Sequence, residues 1–280
     1  MSDENVTGTA TSAAVNKCDD PFSQGDLLYW KCEYEKAKEH FHSILNQSSI
    51  NLIDSARCYN SLGASNAKLK NYDKAINNYH QQLDVLRKLE PSEKIATDIV
   101  KCYTSIGKVY CFKQDYVAAI DHYKQALDLV STITSTSDLI SNIYKDLANL
   151  YVKAQDFDLA TNYFTKALEI DHHQLRQDHP KFGQTYANMG AMYYHQQDYK
   201  QALCYFLKAH EVWEKSLTSS HIYTESMSKQ IRTIELKLSM YLTAILRQFG
   251  SPIFDLLTIE LDIRHASDPS YPGSVVPGLH

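Results

Sequence analysis

Two groups of side chains in this sequence have types and spacings that could do chemistry. Ser105-Ile-Gly-Lys108 sets a hydroxyl and an amine at the SxxK spacing, in which a serine is activated to attack an acyl group. Asp171, His172, His173, Asp178 and His179 crowd carboxylate and imidazole donors into one short stretch, the ligand types that hold a transition metal. Neither set is complete. Ser105 and Lys108 fall inside a recurring helical pattern without the partner motifs of an acyl-enzyme, and no cysteine joins the histidines. The six cysteines are separated by 14, 26, 44, 9 and 93 residues, so no CxxC pair is formed. No glycine-rich phosphate loop, HExxH or nucleophile elbow is present. The expectation is a protein that is not an enzyme and has no metal or cofactor.

With 280 residues, 44% hydrophobic and 22% charged, the chain is globular and long enough for two ordinary domains or one elongated array. A formal net charge of -5 gives no overall basic footprint, which argues against nucleic acid as a partner. No apolar run reaches the roughly 18 residues of a membrane helix. The polar, acidic opening MSDENVTGTATSAAVNKCDD lacks the basic and apolar regions of a signal peptide. A soluble, cytoplasmic chain is expected, with residues 1–20 a disordered N-terminal segment.

The elements that carry these side chains repeat. QQDYKQALCYFLKAH at 196–210 has near-copies in KNYDKAINNYHQQLD from Lys70, QDYVAAIDHYKQALD from Gln114 and QDFDLATNYFTKALE from Gln155. Upstream of each stands a quartet: Tyr59, Leu62, Gly63, Asn66; Tyr103, Ile106, Gly107, Tyr110; Tyr144, Leu147, Ala148, Tyr151; Tyr186, Met189, Gly190, Tyr193. Ala75, Ala119, Ala160 and Ala202 follow, and four residues further on Tyr79, Tyr123, Phe164 and Phe206. Offsets of three and four mark one face of a helix, and a polar turn separates each quartet from its pair. Each copy is therefore a helical hairpin, A then B, whose small residues let the two backbones approach while the aromatics fill the core. Cys58 and Cys102 occupy the same slot of successive copies and read as small, reduced core residues. One hairpin cannot bury its apolar face, so neighbours must stack.

The aromatic-x2-Leu-Gly-x2-Tyr and Ala-x3-Phe pattern resembles the tetratricopeptide repeat, which implies an all-α solenoid of stacked antiparallel hairpins. The match covers residues 21–238, about five hairpins and a capping helix. The first copy keeps Gly25, Tyr34, Ala37 and Phe41 but has Pro21 in the first aromatic slot. The small-residue slots at 25, 63, 107, 148 and 190 lie 38, 44, 41 and 42 residues apart, longer than the usual period of about 34. LRQDHPKFGQTYANMG from Leu175 resembles kinesin-light-chain-type repeats through its Asp-His-Pro, as does EVWEKSL from Glu211. His221 follows His179 by one 42-residue period. The first 20 residues show no heptads of the kind that would join a kinesin motor.

The resemblance places the A helices on the inner, concave face. Windows 56–69, 100–113, 141–154, 183–196 and 225–238 hold ten Lys or Arg against three Asp or Glu, +7 within a chain of -5. Arg57, Asn60, Lys101, Lys108, Lys145, Asn149, Lys153 and Asn188 are thus the candidate peptide-binding residues, and an acidic or carboxylate-bearing protein segment is the expected partner. Lys145, Asn149 and Asn188 occupy slots that chaperone-binding members of the family use to hold a terminal carboxylate. Ser226 and Gln230 stand where a basic pair would complete that set.

Beyond Leu238, Pro252, Pro269, Pro272 and Pro277 predict that 239–280 is an irregular, mostly disordered tail, within which FDLLTIELDIR faintly resembles the start of a GoLoco motif. The reading is a non-catalytic interaction scaffold or adaptor. The alternative is a partner- or cargo-recruiting arm of a larger enzyme or motor assembly, kinesin-light-chain-like or G-protein-modulator-like.

Overall fold

The computed structural model describes residues 20–131, 133, 137–217 and 221–249. These form eleven α-helices and no strand among the described residues: α1 (Phe22–Trp30), α2 (Tyr34–Leu45), α3 (Leu52–Lys68), α4 (Tyr72–Leu86), α5 (Glu93–Phe112), α6 (Tyr116–Val130), α7 (Ser137–Lys153), α8 (Phe157–Gln174), α9 (Pro180–His195), α10 (Tyr199–Ser216) and α11 (Ile222–Phe249). They divide into two compact units, residues 1–156 and 157–280. In the first, the pairs α1/α2, α3/α4 and α5/α6 stack in chain order and α7 packs on α6. In the second, α8 packs on α9, α9 pairs with α10, and α11 lies along α10. Consecutive hairpins of this kind are an α-solenoid. No described helix is long and apolar enough to cross a membrane.

Each hairpin within a unit turns through three residues, 31–33, 69–71, 113–115 and 196–198, and three residues, 154–156, also link α7 to α8. The middle residue of each, Cys32, Lys70, Gln114, Gln155 or Gln197, has φ between 61° and 64°. That left-handed residue reverses the chain so that the next N–H reaches the last turn of helix A, as in Asn71 N–H to Asn66 C=O at 2.8 Å and Asp198 N–H to Tyr193 C=O at 3.0 Å. Asp115 and Asp198 then cap the following B helix, accepting from Ala118 N–H at 3.1 Å and Gln201 N–H at 3.0 Å.

The small-residue slot of helix A seats the helix-B aromatic of the same hairpin. A Cβ added at Gly25, Gly63, Gly107 or Gly190 would stand 2.6 Å from Phe41, 2.8 Å from Tyr79, 3.0 Å from Tyr123 and 2.6 Å from Phe206 respectively. Around these seats lie fully buried Leu62, Ile106 and Met189. Cys58, Cys102 and Cys111 are buried and unpaired to any disulfide, as their repeat positions imply. In the first hairpin Phe22, one residue after Pro21, enters the core and packs against Phe41 with ring centroids 6.3 Å apart. Asn66, in an aromatic slot, instead donates a buried 2.9 Å hydrogen bond to Asn78.

The boundary expected at residue 238 is moved by the structure. Helix α11 continues to Phe249, because the sequence offers no helix-breaking residue before Gly250 and Pro252. The rest of the expected tail, including FDLLTIELDIR, and the N-terminal segment up to residue 19 lie outside the described residues.

His122 on α6 stacks on Tyr110 at 5.3 Å and 10°, with Tyr103 and His80 each 6.1 Å away. Burial, then the nearby His80, holds its imidazole below the ordinary value of 6.5, with Asp121 opposing. The native state therefore binds this proton more weakly than the unfolded chain. Stability from this group is intact above 6.5 and is lost as acid takes the pH down through the folded value. The midpoint of thermal unfolding is expected to fall between pH 7 and pH 5, and His122→Phe, which keeps the stack, should lose less over the same interval.

Candidate peptide-binding surface

Seven of the eight candidate residues lie in the first unit. On α5, Lys101 and Lys108 are two helical turns apart, both exposed. On α7, Lys145, Asn149 and Lys153 follow at intervals of four along one stripe. Arg57 and Asn60 share an exposed stripe of α3. Asn188 belongs to α9 in the second unit, where its Oδ1 accepts from Gln184 Nε2 at 3.0 Å.

These cations are less free than a count of charges suggests. Arg57 lies 3.2 Å from Asp20 and 3.8 Å from Asp54, and its guanidinium stacks 3.8 Å from the Phe22 ring centre. Lys101 lies 3.6 Å from Asp98. Lys108 reaches 3.0 Å from Asp146, a carboxyl pushed above its ordinary value by burial and drawn back by that lysine. Asp54 and Asp98 sit just before the helix windows in which the charges were counted, and so escaped them. The Lys153 ammonium sits 4.8 Å over the exposed Phe112 ring, which in turn stacks on Tyr72 at 6.2 Å. An ammonium and an aromatic face exposed together can hold an anionic segment and its apolar neighbour.

The two sets with apparent catalytic or metal-binding spacing have structural duties. Lys108 of the SxxK pair is engaged by Asp146. His179 caps α9, its Nδ1 accepting from Lys181 N–H at 3.2 Å, and Pro180 begins the helix. The Pro180 carbonyl then accepts from Trp213 Nε1–H at 3.1 Å, which ties the Asp-His-Pro to helix α10. One period later His221 repeats the cap, accepting from Tyr223 N–H at 3.3 Å. His172 stacks on Phe182 at 4.5 Å. Among the described residues no group of three or more His, Cys, Asp or Glu is placed to hold a metal ion.

A cleft of about 700 Å³ in the first unit escaped the sequence reading, although Arg57 and Asn60 line it. It opens between α1, the start of α3, the end of α4, the 87–92 connector and the start of α5. Its signal in the sequence was the 44-residue spacing between Gly63 and Gly107, the longest of the array.

Residues 99–171 and residues 183–223 each match a tetratricopeptide repeat family model, the second of the kinesin-light-chain-like type. No curated protein matches the chain in sequence. Among solved structures, the Rap conjugation gene regulator of plasmid pLS20 in complex with the Phr* peptide is 16% identical with a TM-score of 0.58, over 89% of this chain and 74% of that one. Bacillus thuringiensis PlcR in complex with the peptide PapR7 and DNA is 14% identical with a TM-score of 0.58, over 78% and 76%. The apo form of RapI is 15% identical with a TM-score of 0.57, over 87% and 73%. At these identities the likeness is one of fold. The quartets, the glycine seats under helix-B aromatics and the family matches together make this chain a tetratricopeptide repeat protein.

Proposed function

We propose that the chain is a non-catalytic scaffold that holds an extended segment of a partner protein on the A helices of its array. The tetratricopeptide fold and its likeness to regulators solved with bound peptides support an interaction role. The observation that carries the finer reading is the exposed Lys101 of α5 together with the Lys145, Asn149 and Lys153 stripe of α7 beside the exposed Phe112 ring. Ammonium groups and an amide on one surface favour an acidic or carboxylate-bearing segment, and the aromatic face favours an apolar residue next to the acid. PlcR was solved with DNA as well as peptide; for this chain, a net charge of -5 favours the protein partner.

The test is capture of partners from a lysate by the native chain and by Lys101→Glu/Lys153→Glu, identified by mass spectrometry, with circular dichroism on both. Both lysines are exposed, and Asp98 beside Lys101 is itself partly exposed. Loss of acidic partners from the variant at unchanged helicity is the expected outcome. An identical partner set from both proteins would remove the basic stripe as the binding surface.

A further inference from the structure

Gln82 breaks the repeat in which it stands. Three residues after the helix-B aromatic, the later copies place Ala126, Ala167 and Ala209, each fully buried, and the first copy places the buried Ile44. Here that slot holds Gln82, only 7% exposed, whose Oε1 is buried and has no hydrogen-bond partner among the described residues. A buried amide without a partner is destabilising and uncommon in folded proteins. The amide lines the 700 Å³ cleft of the first unit.

The cleft exists because the chain is longer here than elsewhere. The end of α4, the 87–92 connector and the first turns of α5 supply the extra residues, and with them Leu86, Leu89 and Ile95 as apolar wall. Ile53, 52% exposed, faces them from α3. Asp26, Glu90 and Asp98 also line the cleft, against Arg57 and Lys94. Arg57 is already matched by Asp20 and Asp54 and laid over Phe22, so its charge is largely spent within the wall. Asp98 is likewise held by Lys101 at 3.6 Å, which leaves Asp26 and Glu90 against Lys94, an excess of acceptors.

We propose that this cleft is a second recognition site, opposite in charge preference to the basic stripe, for a peptide segment in which an aliphatic residue is followed by lysine or arginine. The aliphatic side chain enters between Ile53, Leu86 and Ile95. The Gln82 side chain turns to present its Oε1, closed to solvent in the free protein, to a main-chain N–H beside it, which supplies the partner that the fold leaves out. The cation that follows lies against Glu90. An apolar pocket with one oriented acceptor and a charged rim is the usual composition of a side-chain anchor site.

Three capped hexapeptides test this on the full chain: Gly-Ser-Leu-Lys-Gly-Ser, its Leu-Glu counterpart and its Ala-Lys counterpart, titrated to millimolar concentration by NMR. The Leu-Lys peptide is expected to bind at least about tenfold more tightly than the other two. Gln82→Leu keeps the volume and removes the acceptor, so it should weaken that binding by up to about tenfold while raising the thermal midpoint. Ile53→Asn, at an exposed position, should weaken it with no change in the midpoint. Lys200→Glu, at an exposed position of α10 outside the cleft, should bind as the native chain does. Preference for the Leu-Glu peptide, no binding of the Leu-Lys peptide to the native chain, or equal binding by native, Gln82→Leu and Ile53→Asn proteins would each overturn the proposal. None of these outcomes depends on the basic stripe.

Discussion

Gly183→Ala is expected to destabilise the protein by about 1–3 kcal/mol, although alanine is the better helix former by about 1 kcal/mol. Gly183 lies in the first turn of α9 beneath Trp213, and an added Cβ would stand 2.4 Å from the indole Nε1 and 2.6 Å from Cε2. The indole cannot retreat without cost. Its Nε1–H is bonded to the Pro180 carbonyl, its ring stacks on Tyr223 at 5.3 Å, and it is 4% exposed. The alanine therefore forces either an overpacked contact or loss of the hydrogen bond that ties α10 to the start of α9. Gly107→Ala is the informative comparison, because its Cβ would meet the Tyr123 ring at 3.0 Å, where a small shift of the ring suffices. Thermal or urea unfolding of the two variants should rank Gly183→Ala well below Gly107→Ala. A Gly183→Ala protein as stable as the native one would mean that Trp213 is not seated as described.

Reversing the charge of Lys108 is the second large effect, at about 1–3 kcal/mol, and it acts on stability before it acts on binding. Lys108 is 53% exposed at its side chain, but Asp146 opposite it is 19% exposed, and the two stand 3.0 Å apart. Burial dominates the Asp146 carboxyl and raises it above 3.8, so the folded protein holds that proton more tightly than the unfolded chain. The contribution of this group to stability is thus fullest in acid and diminishes as pH rises through the folded value. Lys108→Glu places a second carboxylate against one already costly to ionise, and its penalty should shrink between pH 7 and pH 4 as the pair takes up a proton. Asp146→Asn should raise the midpoint of thermal unfolding at pH 7. If Lys108→Glu unfolds at the native temperature at pH 7, the pair has no structural role. The same geometry explains why Lys101 and Lys153 are the better positions for testing partner binding.

The hairpins were legible in the sequence because repetition multiplies a weak signal: Tyr59, Tyr103, Tyr144 and Tyr186 at matching offsets are harder to produce by chance than any one helix. What the sequence hid were features that occur once. Gly183 stands seven residues before Gly190, where the three preceding copies have Ala56, Val100 and Ser141, and only the position of Trp213 gives it meaning. Asp54 belongs to the first turn of α3 and Asp98 to the second turn of α5, and a charge count anchored on the aromatic quartets begins after them. The basic surface is accordingly more self-compensated than it looked. Gln82 was visible as a break in the alanine slot, but its unmet acceptor is a property of three dimensions. The extent of α11 was misjudged because loss of the repeat pattern was read as loss of the helix, whereas helix formation there ends only near Gly250.

The three-residue turn within each hairpin has a consequence for how such a chain can change over generations. A left-handed residue flanked by two helix ends has no slack: one residue more or fewer would rotate helix B by about 100° and turn its aromatic away from the seat on helix A. Insertions and deletions are therefore tolerated only in the connectors between hairpins, and the variable spacing of the copies, from 38 to 44 residues, is accommodated on that side. All the length that the array has gained opens at the ends of the helices where one hairpin hands over to the next. New specificity can be written there without disturbing the scaffold, and the first unit's cleft occupies such a margin.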